Sequence, residues 1–355
     1  MRRGLALTLT VAMLGSLLAG CGSSGGGSAP KADATAAAAP AGGGTEEVTT
    51  PDKVLKFTDQ NAEDSPAGMW EQKFADLVKE YTKGHIEVEL YFNNTLCGYD
   101  IQPLQAGICD FIQYVPSSAG GLDSRLGAFD APYIYRDADH RLAVFDPFNS
   151  EPLKVINEAL KDDGVMLLSS FNSGYRQITC NFPIRNLSDM KGAKIRVVPS
   201  DLYQQLFTAF GAAATPMAFS EVPTALITNV IDGQENPYSV IVSSALYEVQ
   251  KYCMETNHLP TNHGLWMNRN TYESLTPEQQ EAVLKAAYDA SAYMDKYILD
   301  KVEEYKKICE DNGMEIIDAE NGLDIDGFKA AAENVYDYFA EDWGDMPDLS
   351  RAVQP

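Results

Sequence analysis

Apolar residues recur along this chain at two alternating periods, two and about 3.6. Lys53-Val54-Leu55-Lys56-Phe57 alternates as an opening strand. After Ser65-Pro66, the residues Trp70, Phe74, Leu77, Val78 and Tyr81 fall on one face of a helix, which Gly84 ends. Ile86, Val88, Leu90 and Phe92 alternate again as a second strand. A short helix is expected from Ile101 to Ala106, stopped by Gly107, and Asp110–Val115 reads as a third strand. This β-α-β-α-β order predicts an α/β lobe with a mainly parallel sheet.

A second unit begins near Gly174. Tyr175–Asn181 and Lys194–Val198 read as strands joined by a tight turn over Leu187–Gly192. Ser200 is placed to cap a helix over Asp201–Phe210, with Leu202, Leu206 and Phe210 on its apolar face. Ala212–Met217 returns as a strand, and Ser220 is expected to cap a helix through Ala225 to Thr228. Thr276-Pro277-Glu278-Gln279 carries a capping box with Pro at the first helical position. Helical periodicity then runs from Val283 to Ile308, and Asn312-Gly313 is a stop signal. That is one long helix bracing two lobes, or two helices with a break near Asp295.

The front of the chain reads as an address. Met1-Arg2-Arg3 is a positive start, and Leu5–Leu18 is an apolar stretch of signal-peptide length. Leu18-Ala19-Gly20-Cys21 resembles a bacterial lipobox, which implies a signal peptide over residues 1–20 and a lipid on Cys21. Several acyl chains anchor a protein stably where one does not. Residues 21–52 then form the acylated Cys and a Gly/Ala/Ser tether with no core-forming pattern. Gly22-Ser23-Ser24-Gly25-Gly26 fits G-x-S-x-G, but no strand precedes it and no helix follows, as a nucleophile elbow needs.

Composition narrows the partners. The 355 residues carry 27 Lys plus Arg against 51 Asp plus Glu, a formal charge of −24. Such a chain has no excess of cations to neutralise phosphates, so nucleic acid is excluded as a partner. Only eight Arg follow residue 3, so each is conspicuous. Beyond Cys21 stand Cys97, Cys109, Cys180, Cys253 and Cys309. An odd count without C-x-x-C defines neither a disulfide framework nor a zinc site, and buried free thiols are expected.

Enzyme motifs fail on context. Ser188-Asp189-Met190-Lys191 fits S-x-x-K but lacks its S-D-N and K-T-G companions. His258 and His263 stand five apart around a Pro, not at helical ligand spacing. Asp324-Ile325-Asp326-Gly327 lacks the spaced ligands and closing Glu of a calcium loop and reads as a helix start. No cofactor, metal site or catalytic residue is expected.

The second lobe carries a resemblance. Gly174-Tyr175-Arg176-Gln177, Asp189–Val197, Thr215–Val222 and Thr228–Pro237 resemble, in order, the motifs of the DctP family. Its members are solute-binding proteins of tripartite ATP-independent periplasmic (TRAP) transporters. Tyr247–Lys251, Thr256-Asn257-His258 and Asn270-Thr271-Tyr272 extend the likeness over residues 53 to about 345. The resemblance implies an α/β, two-lobed clamp like other periplasmic binding proteins, each lobe a mixed sheet flanked by helices, with a long helix spanning both. It implies capture of a small carboxylate (a C4-dicarboxylate, sugar acid or related organic acid) and delivery to a membrane permease by a monomeric, lipid-anchored, extracytoplasmic protein. The lobes would be 53–173 plus about 262–301, and 174–261 plus about 302–350, hinged near Phe171–Gly174 and His258–Asn262.

By the same resemblance Arg196 pairs with the ligand carboxylate and Arg176 is a second arginine at the cleft. Phe219 packs on the ligand and Asn236 contacts it near the hinge. Gln60 or Asn61, and the Gly98-Tyr99-Asp100 loop, face it from the first lobe. Guanidinium suits the role because its planar fork matches a carboxylate. Arg176 has the alternative of bracing the pocket. The stretch from Leu96 to Gly107 is about two residues shorter than in sialic-acid-binding members, and Val115-Pro116 is apolar where they place an acid. A sialic-acid-binding protein is therefore the alternative reading, with a secreted hydrolase or a sensor module behind it.

Overall fold

The computed structural model describes residues 50–355, so the signal segment, Cys21 and all but the last residues of the tether lie outside the described residues. Eleven strands form two mixed sheets. They are β1 (Lys53–Thr58), β2 (Ile86–Tyr91), β3 (Phe111–Tyr114), β4 (Val165–Asn172), β5 (Arg176–Cys180) and β6 (Lys194–Val197). The rest are β7 (Ala213–Pro216), β8 (Gly233–Pro237), β9 (Tyr252–Met254), β10 (Asn262–Asn268) and β11 (Glu315–Ile317).

The first sheet has the order β2-β1-β3-β10-β4. Strands β1, β2 and β3 are mutually parallel, and β10 runs antiparallel to both β3 and β4. The second has the order β11-β9-β5-β8-β6-β7. There β6 is parallel to β7 and β8, while β5 is antiparallel to β8 and β9. The first sheet is mainly parallel, as expected, and each sheet is mixed because one strand, β10 in the first and β5 in the second, enters it reversed.

Ser65 accepts from the Gly68 amide and starts the helix Pro66–Tyr81, whose Trp70, Phe74 and Val78 are buried on the first sheet. Trp70 and Phe74 meet Phe57 and Phe111 edge-on, with centroids 5.1–6.4 Å apart, and Trp70 packs on Phe171 at 4.8 Å. Burying each such ring stabilises the fold by about 1.5–3 kcal/mol. Two cap expectations are amended. Ser200 holds the cap position of Asp201–Ala209 without a side-chain bond, and Ser220 lies inside a 3-10 turn, so Val222–Ile227 starts at Glu221.

Thr276 and Gln279 do form the capping box of a single helix, Pro277–Asp311. Its 35 residues span about 52 Å at 1.5 Å per residue. It packs on Pro66–Tyr81 and β4, then on Tyr238–Ser243 and β11, so it touches elements of both sheets. There is no break at Asp295. That carboxyl is buried and accepts from the Asn172 amide at 2.7 Å and from Arg141 Nη2 at 3.4 Å.

Two further connections cross between the sheets, β4 to β5 and β9 to β10. They lie side by side: Ser173 donates to Thr261 O at 3.0 Å and Arg176 to Leu259 O at 2.9 Å. Asn172 Oδ1 accepts from both the Gly174 and Thr261 amides. Gly174 has φ +123°, and a Cβ there would sit 3.2 Å from Pro237 Cβ, so glycine is needed. The C-terminal segment divides. Ile325–Tyr338 packs on Asp201–Ala209, but Ala340–Trp343 and Met346–Ala352 return to residues 124–130 and 151–159 beside the first sheet. Residues 340–352 therefore depart from the block of 302–350 expected with the second lobe, because buried Trp343 and Met346 find their partners on the first. Among the described residues, no helix is long and apolar enough to cross a membrane.

Asp295→Ala would leave Arg141 buried with only the Ser170 carbonyl as partner. It is expected to cost roughly 3–5 kcal/mol, the usual penalty for unpairing a buried charge. The urea unfolding midpoint measures it.

Candidate functional site

The second sheet carries its buried charged side chains on three neighbouring strands, β5, β8 and β6. Alternation along β5 sends Arg176 to one face and its neighbours Tyr175 and Gln177 to the other. Antiparallel pairing sets Arg176 against Pro237 and Gln177 against Asn236. The Arg176 guanidinium pairs through Nε with Glu235, and its Nη2 donates to Glu235 Oε1 at 2.9 Å, to Glu235 O at 3.0 Å and to Asn236 Oδ1 at 3.0 Å. Its cation lies 5.3 Å from the Tyr203 ring centre. Burial favours a neutral Arg176, but the Glu235 charge overrides that and raises its pKa. Burial likewise pushes the Glu235 carboxyl up, while Arg176 and His258 overcome it and hold the carboxyl below its usual range. His258 Nε2 faces Glu235 Oε2 at 3.4 Å, and its Nδ1 meets Thr256 Oγ1 at 2.8 Å. Burial lowers the His258 pKa, so at neutral pH this contact is a hydrogen bond rather than an ion pair.

Arg196 is held differently. It lies on β6, only 3% exposed, with the Phe219 ring centre 5.7 Å from its cation. Nε and Nη2 both donate to the Met217 carbonyl, at 3.0 and 2.8 Å. That uses the side-on fork of the guanidinium and leaves the Nη1–Nη2 end free of protein partners among the described hydrogen bonds. Burial lowers its pKa, Glu235 acts against that, and Arg176 adds to it. A desolvated guanidinium with an open end is a receptor for one carboxylate.

Of the expected site residues, Arg176, Asn236, Arg196 and Phe219 come together on the second sheet. Asn236 Nδ2 donates to Gln234 Oε1 at 2.5 Å while its Oδ1 takes Arg176, so it joins the brace. Arg176 itself takes the bracing alternative, since its charge is matched by Glu235. The first-sheet candidates have no described hydrogen bond to these four. Gln60 is exposed. Asn61 Nδ2 donates to both carboxylate oxygens of Asp59, at 3.0 and 3.1 Å. Tyr99 packs on Tyr114 at 4.6 Å and its Oη accepts from the Val115 amide at 3.1 Å. Asp100 is exposed and accepts from the Gln102 amide, starting the short helix Gln102–Gln105.

Sequence reading missed Glu235, His258, Asp59 and Glu71 as site-supporting groups. Glu235 carried a signal, an acid in the middle of the fully buried strand Gly233–Pro237. His258 and His263 are separate: His263 is stacked on Phe171 at 4.6 Å and meets Ser173 Oγ at 3.0 Å. Among the described residues no group of three or more His, Cys, Asp or Glu is arranged to hold a metal, and the five described cysteines are free thiols. Ser188 bonds Asn186 in its turn, and Asp324 caps Ile325–Tyr338 through the Gly327 amide. A cavity of about 1020 Å3 lies elsewhere. Tyr175, Gln177, Asn257 and Asp295 line it, on the face of the crossovers opposite Arg176.

Residues 57–342 match the DctP family, described as bacterial extracellular solute-binding protein, family 7. The 2,3-diketo-L-gulonate-binding periplasmic protein YiaO of Escherichia coli is 30% identical over 303 residues, 84% of this chain and 90% of that protein. A TRAP periplasmic solute-binding protein from Rhodobacter sphaeroides, solved apo and open, superposes with a TM-score of 0.78 at 28% identity, over 85% of this chain and 99% of that one. One from Xanthobacter autotrophicus with bound β-D-galacturonate gives 0.71 at 29% identity, over 84% and 100%.

Glu71 supplies a test of the first-sheet polar cluster. Its side chain is fully buried behind Asp59, and burial first, then the Asp59 charge, push its pKa well above the usual range. The unfolded chain therefore releases this proton first, near pH 4.3. Stability from Glu71 is lost as pH rises above that value. Glu71→Gln is expected to unfold at an equal or higher temperature than wild type at pH 7, with a flatter dependence from pH 4 to 7 by scanning calorimetry.

Proposed function

The chain belongs to the DctP family of extracytoplasmic solute-binding proteins, and on that premise we propose that it binds a small carboxylate on Arg196 and delivers it to the membrane subunits of a TRAP transporter. One observation carries this reading: a buried guanidinium whose end-on fork has no protein partner, while its neighbour Arg176 is neutralised by Glu235. The protein acts by binding and release, with no chemical step, as its relatives' names describe binding proteins. Phe219 covers the carboxylate, and Asn236 and Arg176 keep the floor rigid. Gln60, Asn61, Tyr99 and Asp100 stand on the opposing first lobe.

Closure of the two lobes, 53–173 plus about 262–301 and 174–261 plus about 302–339, completes the site. The paired crossovers at Asn172–Gly174 and His258–Asn262 are the hinge. A ligand touching both lobes favours the closed form by its differential affinity. Likeness to both an open and a galacturonate-bound relative supports such a motion. The closed surface is what the permease reads, and a lipid on Cys21 with the tether behind it keeps the monomer at the membrane.

Arg196→Ala is expected to weaken binding of a cognate acid by about 2–5 kcal/mol. Arg196→Lys should weaken it too, because an ammonium lacks the parallel fork. Isothermal calorimetry measures both, and either variant binding at wild-type strength rejects the assignment.

A further inference from the structure

We propose that the ligand is a polyhydroxylated monocarboxylate, its single carboxylate on Arg196 and its hydroxyl groups on acceptors of the first-sheet rim, with Asn61, oriented by Asp59, as one such acceptor. This rests on the carboxylate reading of Arg196 and narrows it.

The charge count on the second sheet is the first support. Two guanidinium groups, Arg176 and Arg196, stand beside one carboxylate, Glu235, which bonds Arg176 through both its oxygens. One positive charge is left, on Arg196. His258 adds none, because it is buried and neutral at pH 7. One positive charge matches one carboxylate.

The rim opposite offers no unpaired cation, since Arg125, next to its third segment, is paired with Asp123. Ligands of α/β sheets sit outside the carboxyl ends of the parallel strands. In the first sheet those ends lead into residues 58–65, 92–101 and 115–124, after β1, β2 and β3. These three segments contain no Lys, Arg or His. They do contain Asp59, Glu63, Asp64, Asp100 and Asp123. Arg141, behind them, donates both Nη groups to Ser170 O and pairs with Asp295. His263 on β10 has its pKa pushed down to about 4 by burial, against the Asp59 charge, and is neutral. Asn262 spends its amide on Phe129 O and Asp130. A second ligand carboxylate brought here would be desolvated against acids with no counter-charge, which costs several kcal/mol. Hydroxyl groups, which donate, meet acceptors instead.

Asn61 shows how an acceptor is fixed. Asp59 is 1% exposed and its carboxylate can only accept, so the Asn61 nitrogen must face it, at 3.0 and 3.1 Å. The Asn61 carbonyl oxygen is thereby turned outward as an acceptor. Glu71, with no donor on either oxygen, lies behind Asp59.

Calorimetry on the purified protein with D-galacturonate, D-gluconate, succinate and fumarate tests the inference. At least one hydroxy acid is expected to bind about 100-fold or more tightly than either dicarboxylate, since unmet hydrogen-bonding groups discriminate strongly. Asn61→Leu is expected to weaken that hydroxy acid by about tenfold, with the unfolding midpoint as a control for folding. Succinate or fumarate binding as tightly as the hydroxy acids overturns the ligand class and leaves the carboxylate clamp standing. Unchanged affinity in a folded Asn61→Leu overturns the role of Asn61. Binding of none of the four acids overturns the clamp itself, and the class with it.

Discussion

The buried pair of Arg176 and Glu235 decides what the rest of the second sheet can do. A lone charge at that depth would be untenable, and a lone arginine would compete with Arg196 for any anion. Pairing the two inside one strand register removes both problems. It also fixes Asn236, since Arg176 reaches both the Glu235 backbone and the neighbouring amide. His258 closes the set from the crossover, so the hinge segment and the charged floor are one hydrogen-bonded unit. Arg196 then stands as the remaining free charge, tethered by a carbonyl that cannot neutralise it.

Much of the fold was legible because its strands and helices obey their periods. The helix over Pro66–Tyr81 and the box at Thr276 read directly, since apolar spacing and caps are local. Strands β4, β8, β9 and β10 were not legible. β4 is buried at every position, so it shows no alternation, and β10 reverses direction only because it completes a sheet begun at Lys53. The single reversed strand in each sheet is hidden for the same reason, as pairing partners are a non-local property. Residues 340–352 went astray because Trp343 and Met346 name no partner in sequence.

The site was legible in part, and unevenly. Arg196 and Phe219 stand together as expected, whereas Arg176 and Asn236 turn inward. What sequence could not give is which charge cancels which. Glu235 and Arg176 are 59 residues apart, and only the antiparallel register of β5 on β8 joins them. Asp59 and Glu71 escaped notice because two acids among 51 carry no signal until burial singles them out.

The cavity behind the crossovers has a mechanical meaning. It is bounded by the crossovers and by the 35-residue helix, so the proposed rotation of one half against the other would change its size. Under the proposed closure, open and closed forms would differ in void volume as well as in contacts. Hydrostatic pressure acts on such differences and favours whichever form encloses less empty space. The same gap that would give the halves room to swing would make their balance compressible.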